Sequence, residues 1–341
     1  MRNKIFNIAV AILSSVMLLY FFLYKNGLTQ LLSVIKIIDT SWLLVAIVLM
    51  LIYWIIEILI IHELTHFLFP KQKIRKSIKA AMSGQLFGAI TPLQTGAQPA
   101  IFYALVENGI DPGSATSILM MKFIIHQTIL TVYSFIIIVL KFNYFKSMVP
   151  LLSYLCVLGF IFNSSIILAA IMFSINKNFT KNLMLVILKF LKKVRLVKNL
   201  EKYEIKIEEN LNDFHNNAKL ILENYKVLLK VGIINTIQLT IFYIIPYFIY
   251  RSFKLESASL WNMLAAQTFV MMIVSITPLP GGLGGAEGGF VLLFKVFFKE
   301  NILPGMFLWR IITYYSCIGI GLLFSIHLPK INLKKMRAYN D

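Results

Sequence analysis

Residues 276–289 read ITPLPGGLGGAEGG, and residues 90–99 read ITPLQTGAQP. The two stretches align when Thr91 is placed on Thr277, and each lies in the middle of a hydrophobic segment. Proline and glycine interrupt a helix and leave backbone polar groups unpaired. A bilayer tolerates such a break only where it is buried in protein or faces water. Two breaks at corresponding places in two halves of a chain indicate the binding site of a transporter.

The composition predicts a single polytopic membrane domain. The chain has 341 residues, of which 58% are hydrophobic and 14% are charged, whereas a soluble domain is about one-quarter charged. The net charge of +18 arises in short loops beside apolar segments, where basic residues set orientation and attract anionic lipid headgroups. We therefore expect no direct nucleic-acid partner. Cys156 and Cys317 fall inside apolar segments, which favours neither a disulfide framework nor a zinc knuckle.

Six segments are apolar and long enough to span a bilayer, and two more are interrupted by the motifs. The six are Ile5–Tyr24, Trp42–Ile61, Ala115–Leu140, Val149–Phe173, Val227–Tyr250 and Gly305–Leu328. The first shows no small-residue cleavage site, so we expect a retained span. The interrupted segments, 78–106 and 260–298, are interpreted as pairs of half-helices. The predicted fold is therefore an all-α integral membrane protein with about six full spans and two re-entrant pairs.

The distribution of charge predicts the topology. If each interrupted segment enters and leaves on the same side, most Lys and Arg residues between the spans lie on the side of the N-terminus, as the positive-inside rule requires. The first pair then enters from the cytoplasm and the second from outside, an inverted-repeat-like arrangement. We predict a multi-pass protein of the bacterial plasma membrane with both termini cytoplasmic. Its parts would be a first half (1–173), a basic connector (174–226), a second half (227–328) and a short tail (329–341).

The connector carries both signs of charge and an apolar helical periodicity between Leu183 and Val194. This pattern predicts an amphipathic helix on the inner leaflet, followed by a polar stretch. A solvated connector is the alternative interpretation.

Three stretches together resemble a known family. They are GQLFGAITPLQTGAQPAIFYALVENGI, the helix SATSILMMKFIIHQT and TPLPGGLGGAEGGF near the end. This pattern is similar to the lysylphosphatidylglycerol synthase transmembrane region, the flippase-like membrane half of the bacterial multiple peptide resistance factor. The resemblance covers nearly the whole chain, and its most specific element is PGGxGxxE, from Pro280 to Glu287.

The resemblance implies movement of aminoacylated phosphatidylglycerol to the outer leaflet, and with it resistance to cationic peptides. Synthesis in that family belongs to a soluble C-terminal aminoacyltransferase domain, which we expect this chain to lack. The favoured function is thus translocation of a phospholipid, with lysyl- or other aminoacyl-phosphatidylglycerol as the candidate. The alternative is a membrane component of phosphatidylglycerol lysyltransferase, whose catalytic domain would be a separate protein. Homo-oligomer formation is left open.

The second motif holds the main candidates for lipid binding. Its glycines let the backbone turn and allow close approach, and the half-helix that follows points N–H groups at the break, which suits a phosphate. Glu287, in the first turn, is a candidate for a lipid amine or a helix cap. The candidates in this motif are Thr277, Pro278, Pro280, Gly281, Gly282, Gly284 and Glu287.

The first motif contributes neutral hydrogen-bonding groups that suit headgroup hydroxyls or satisfy the broken backbone. The candidates there are Thr91, Pro92, Gln94, Gly96 and Gln98, with Gln85 and Thr95 beside them.

Charged residues inside other spans are further candidates. Lys122 and Arg310 could pair with Glu287, hold a lipid phosphate, or extend towards an interface. His126 shares a helix face with Lys122, and Glu57 faces the bundle interior or lipid.

The string His62-Glu63-Leu64-Thr65-His66 fits HExxH, a zinc-protease motif. A catalytic zinc needs a third protein ligand, but none of the four Asp residues precedes Gly or lies in a clear span. An intramembrane metalloprotease is therefore the weakest alternative, with His62, Glu63 and His66 as its candidate ligands and base. Otherwise this helix end meets headgroups, with Glu63 paired to Lys71 or Lys73. The sequence contains no P-loop or dinucleotide fingerprint, so no cofactor is predicted.

Overall fold

The computed structural model describes residues 38–193 and 200–325. Within these ranges the chain is helical, and an isolated bridge is the one β-type pairing. The predicted all-α class is confirmed. The helices are α1 Thr40–Leu68, α2 Ile74–Ala89, α3 Ala97–Glu107, α4 Pro112–Met148, α5 Pro150–Ile175, α6 Lys177–Lys193, α7 Leu200–Glu223, α8 Tyr225–Ser252, α9 Leu260–Ser275, α10 Gly285–Phe298, α11 Ile302–Arg310 and α12 Ser316–Ser325, with a 3₁₀ turn at Lys299–Asn301 and a π-helical turn at Ile311–Tyr315.

Five stretches are long and apolar enough to cross a membrane: α1, α4, α5, α8 and the run Gly285–Phe324. Four predicted spans coincide with α1, α4, α5 and α8. The predicted span Gly305–Leu328 begins inside α11 and continues into α12. The predicted span Ile5–Tyr24 and the tail 329–341 lie outside the described residues, and the number of crossings stays a prediction.

Both interrupted segments fold as helical hairpins. In the first, a Cβ atom on Gly88 would lie 3.2 Å from the Ala97 Cβ, and one on Gly84 would lie 2.7 Å from Ile101 Cδ1. Gly84 comes earlier in the chain than Gly88, whereas its partner Ile101 comes later than Ala97. The two helices, α2 and α3, therefore run antiparallel in close contact. The predicted breaks are therefore confirmed, and each segment has the shape that a re-entrant pair requires.

The second hairpin, α9 and α10, repeats the first. Here α2 and α9 each contain 16 residues, and their first residues, Ile74 and Leu260, are equivalent when Thr91 is aligned with Thr277. The second half-helices begin at Ala97 and Gly285, which are two positions out of step in that alignment. The second break is therefore two residues longer, and the constant offset of the sequence alignment does not hold beyond it.

The equivalent long helices of the two halves, α1 and α8, pack against each other in antiparallel orientation. At one end the Asp39 N–H donates to the Ser252 carbonyl at 2.8 Å, and at the other Lys230 pairs with Glu63 at 2.7 Å. Between them Tyr53 contacts Phe242. Opposite directions for equivalent helices are what an inverted repeat requires.

The connector forms two helices, α6 and α7. The predicted amphipathic helix coincides with α6, and the stretch after it forms α7, which packs on the start of α4. Asn217 donates to the Ser114 hydroxyl at 2.8 Å, and Gly113 lies so close to α7 that a Cβ there would be 2.7 Å from the Asp213 Cβ. The location of the connector at the inner leaflet stays a prediction.

Candidate functional site

The two helix breaks meet at the centre of the site. An isolated antiparallel bridge joins Pro92 of the first break to Pro280 of the second. Two stretches that are far apart in the chain, one in each half, thus form one polar backbone surface. The sequence predicted both breaks, and the structure places the candidate residues of both motifs around this bridge.

A threonine begins each break in the same way. The Thr91 hydroxyl donates to the Phe87 carbonyl at 2.6 Å, and the Thr277 hydroxyl donates to the Ile273 carbonyl at 2.9 Å. The Thr91 side chain therefore satisfies a carbonyl that the broken helix would leave unpaired, whereas the Ile273 carbonyl also accepts the Ile276 N–H at 3.3 Å. The Thr91 oxygen also accepts the Gly96 N–H at 2.8 Å, which ties the two sides of the first break together.

The chain then turns through left-handed backbone. In the first break Leu93 and Gln94 have φ values of 50° and 57°, and in the second Gly281 and Gly282 have φ values of 61° and 63°. The turn hydrogen bonds also correspond, because the Gln94 N–H donates to the Thr91 carbonyl and the Gly282 N–H donates to the Leu279 carbonyl.

A buried ion pair lies beside the second break. The Arg310 Nε and Nη2 atoms lie 2.7 and 2.6 Å from Glu287 Oε1, and Nη1 donates to the Gly281 carbonyl at 3.0 Å. The two side chains are 5% and 15% exposed. Of the predicted partners for Glu287, the structure selects Arg310, which is buried and does not extend towards an interface.

Glu287 also caps its own helix. Its Oε2 atom accepts the Gly284 N–H at 2.7 Å, so a carboxylate occupies the N-terminus of α10, where the helix dipole favours negative charge. The predicted capping role is thus observed, and the predicted role in binding a lipid amine stays a prediction.

Tyr314 is a site residue that the sequence analysis missed. Its hydroxyl donates to the Ala89 carbonyl at the end of α2 at 3.2 Å, and its ring packs so tightly on Gly281 that a Cβ there would overlap it. It therefore joins the two breaks from the π-helical turn of the last span. Such turns occur frequently at functional sites. Its position one helical turn after Arg310 was the available signal.

Polar groups of the break loops remain accessible. Pro92 to Thr95 are exposed, as are Pro278, Leu279 and Gly284. The Gln98 Oε1 atom is buried and has no hydrogen-bond partner among the described residues. In a bilayer, loops of this kind require a watery space.

Lys122, the other predicted partner of Glu287, pairs with a different carboxylate. Its ammonium group pairs with Glu57 at 2.7 Å, and the two side chains are 14% and 9% exposed. The prediction that Lys122 could pair with Glu287 is therefore wrong in this structure. Glu57 faces the bundle interior, one of its two predicted orientations.

The His62 and His66 rings lie 5.4 Å apart, but the polar partners of the HExxH residues belong to different helices. The His62 Nδ1 atom lies 3.2 Å from the Ser77 hydroxyl, while Glu63 pairs with Lys230 and not with the predicted Lys71 or Lys73. In the part of the chain that the structure describes, no three His, Cys, Asp or Glu side chains come together as metal ligands.

The fold and the site define a multi-pass helical membrane protein of two related halves, each with a broken helical hairpin. The chain matches the family model described as "Lysylphosphatidylglycerol synthase TM region" over residues 6–321, and it belongs to this family. It is also similar to a UPF0104 membrane protein of Archaeoglobus fulgidus, with 25% identity over 305 residues that cover 85% of this chain and 87% of the relative.

Proposed function

We propose that this protein translocates a phospholipid between the leaflets of the bacterial plasma membrane. The observation that carries the proposal is the meeting of the two helix breaks, with exposed polar loops beside a buried ion pair. A headgroup could pass this surface while its acyl chains stay in the bilayer. A polar surface is needed because a bare charge at the bilayer centre costs about 3 kcal/mol or more.

The ion pair suggests the class of headgroup. Arg310 can hold a phosphate, and Glu287 can hold an amine. A lipid that carries both groups could exchange partners with the pair and leave neither charge unpaired. Lysyl- or another aminoacyl-phosphatidylglycerol has these two groups, and the description of the family supports it as the candidate.

A cleft at the other end of the first hairpin supports a lipid route. It has a volume of about 480 Å³ and is lined by Arg75, Ile78, Lys79, Leu323 and Phe324. Lys79 pairs with Glu107 at 3.6 Å, so Arg75 supplies the net positive charge of the cleft, and a cation beside apolar side chains suits a phospholipid headgroup and its chains. The cleft lies roughly 20 Å along α2 from the break, given the rise of a helix per residue.

Reconstituted vesicles test this function. Lysyl-phosphatidylglycerol would be incorporated, and its outer-leaflet amine would be followed with an impermeant amine reagent. We expect protein-dependent translocation that Glu287→Gln abolishes, since the neutral amide cannot form an ion pair with Arg310 or with the lipid amine. Glu300→Gln, a matched change at an exposed residue of the 3₁₀ turn, should leave it intact.

Two results would count against the proposal. If no aminoacylated or anionic phospholipid moves in a protein-dependent way, the translocation function fails. If Glu287→Gln transports normally at equal protein level, Glu287 has no part in the mechanism.

The alternative is a membrane component of phosphatidylglycerol lysyltransferase, which the family description also favours. It would work with a separate aminoacyltransferase protein. Lipid analysis of cells separates the two functions. Loss of total lysyl-phosphatidylglycerol on deletion would favour synthesis, whereas unchanged total lipid with reduced outer exposure would favour translocation.

A further inference from the structure

The two halves carry a buried cation at equivalent positions. When the half-helices that follow the breaks are aligned by their first residues, with Ala97 on Gly285, the same alignment places Lys122 on Arg310 without a gap. Each cation lies on the helix that follows the hairpin of its half. The equivalence becomes visible only when the greater length of the second break is taken into account.

Each cation forms a buried ion pair with a carboxylate from a different kind of helix. Lys122 Nζ donates to Glu57 Oε1 at 2.7 Å, and the two side chains are buried to a degree similar to that of Arg310 and Glu287. Glu57 belongs to the long helix α1, whereas Glu287 belongs to the half-helix α10. Each half therefore presents the same two opposite charges inside the protein.

A chain of polar groups leads from the Glu57–Lys122 pair to the first hairpin. Tyr53, one turn before Glu57 on α1, is hydrogen-bonded to Gln85 of α2. The Cys317 thiol of α12 lies 3.6 Å from Gln85 Oε1. Gln85 lies one turn before the end of α2. Polar groups thus continue from the pair towards the surface where the two breaks meet.

The surroundings of the pair contain a buried acceptor that lacks a donor. Gln238 of α8 donates to Glu57 Oε2 at 3.0 Å, and its Oε1 atom accepts from Asn235 Nδ2 at 3.0 Å. Asn235 is 2% exposed, and its Oδ1 atom has no partner among the described residues. A buried acceptor without a partner is unfavourable, so this cluster favours a ligand that brings N–H donors, such as an amine.

We propose that the Glu57–Lys122 pair is a second binding site for the headgroup and takes a phospholipid that carries both a phosphate and an amine. The phosphate pairs with Lys122 and the amine pairs with Glu57, so neither buried charge is left without a partner. A phospholipid with a phosphate and no amine would leave Glu57 unpaired, and the site therefore discriminates against it.

This second site rests on the proposed function and extends it. Equivalent helices of the two halves run in opposite directions, as α1 and α8 do, and the two ion pairs belong one to each half. A headgroup that leaves one pair can therefore be received by the other as it crosses the membrane.

The wild-type protein tests the second site directly. It would be reconstituted in phosphatidylglycerol vesicles that contain lysyl-phosphatidylglycerol and treated with a hydrophobic carbodiimide. The reagent activates a buried carboxylate, a neighbouring amine then forms an amide with it, and the displaced oxygen leaves in the urea by-product. Mass spectrometry of the peptides should show a lysyl-phosphatidylglycerol amide on Glu57 as well as on Glu287.

The other products have separate meanings. Lipid on Glu287 alone, with Glu57 unmodified or joined only to Lys122, would overturn the second site and leave the proposed function standing. Lipid on neither carboxylate would overturn both the second site and the proposed placement of the headgroup.

Neutralising both members of the pair tests the role of the site in transport. Glu57→Gln with Lys122→Gln leaves no unpaired charge, so thermal unfolding should stay close to that of the wild type. We expect lysyl-phosphatidylglycerol translocation in vesicles to fall by about tenfold or more, because the headgroup charges lose their partners. Normal translocation would overturn the proposal.

The control removes a different ion pair. Glu63→Gln with Lys230→Gln breaks a 2.7 Å pair between α1 and α8 and should leave translocation intact. An equal loss of translocation in the control would overturn the assignment, since loss of any contact at α1 would then explain the effect. If the Glu57–Lys122 double variant does not fold, the carbodiimide product on Glu57 of the wild type still decides.

Discussion

The first break turns through Leu93 and Gln94 in left-handed backbone, whereas the second makes the same turn with Gly281 and Gly282. A side chain in this conformation costs roughly 1–2 kcal/mol per residue, so the first break is strained and the second is not. The second break instead carries the ion pair and packs against Tyr314. When the half-helices that follow the breaks are aligned by their first residues, the position equivalent to Glu287 is Pro99, which carries no charge.

This difference suggests a division of roles. The second break is anchored by Arg310, which binds both Glu287 and the Gly281 carbonyl. The first break is uncharged and strained, and strain of this kind is often part of a mechanism. We infer that the second break holds the headgroup and that the first break changes conformation around it.

The largest expected effect is removal of the anchor. Arg310→Met leaves the Glu287 carboxylate buried without its partner, which should destabilise the protein by about 3–5 kcal/mol. Thermal unfolding in detergent measures the change. The double variant with Glu287→Gln should recover much of the loss, and a single variant as stable as wild type would show that the pair does not anchor this break.

Close packing at the second break gives the next effect. Gly281→Ala should cost about 2–5 kcal/mol, because the left-handed backbone and the tightly packed Tyr314 ring both oppose a methyl group. Gly109→Ala is the control, since Gly109 also has a positive φ, of 91°, but a Cβ there would have no atom within 4 Å. This variant should lose only the stability that the positive-φ backbone costs alanine. Equal losses of stability for the two variants would argue against the close contact with Tyr314.

Relief of strain in the first break gives the smallest effect. Gln94→Gly should stabilise the protein by less than about 1 kcal/mol, because the relieved backbone strain is partly offset by the greater freedom of glycine in the unfolded chain. The same unfolding assay measures it. A clear loss of stability would mean that the Gln94 side chain contributes more than its backbone strain costs.

The sequence was sufficient to predict the two breaks and their relation, because Pro and Gly act locally on a helix. The apolar segments likewise predicted α1, α4, α5 and α8. The sequence could not predict the two-residue difference in length between the breaks. The ITPL residues of the two motifs align when Thr91 is placed on Thr277, but the turns that follow align only after a shift of two residues. That shift places Pro280, and not Pro278, opposite Pro92.

The sequence also could not predict contacts between residues that are far apart in the chain. Glu57 and Lys122 are 65 residues apart, and Tyr314 reaches a carbonyl 225 residues earlier. Only the packing of whole helices brings such groups together. The choice of Arg310 over Lys122 as the partner of Glu287 therefore depended on which helices lie next to α10.

In the proposed function, lipid passes where the two breaks meet. Leu93 and Leu279 are 44% and 49% exposed and flank the Pro92–Pro280 bridge on facing stretches of chain, so Leu93→Cys with Leu279→Cys should form a disulfide across it. The most direct measurement is lysyl-phosphatidylglycerol translocation by this double variant before oxidation, after oxidation and after reduction, with each single cysteine variant as a control. We expect the cross-link to stop translocation and a reductant to restore it. Undiminished translocation by fully cross-linked protein would show that lipid does not pass where the two breaks meet.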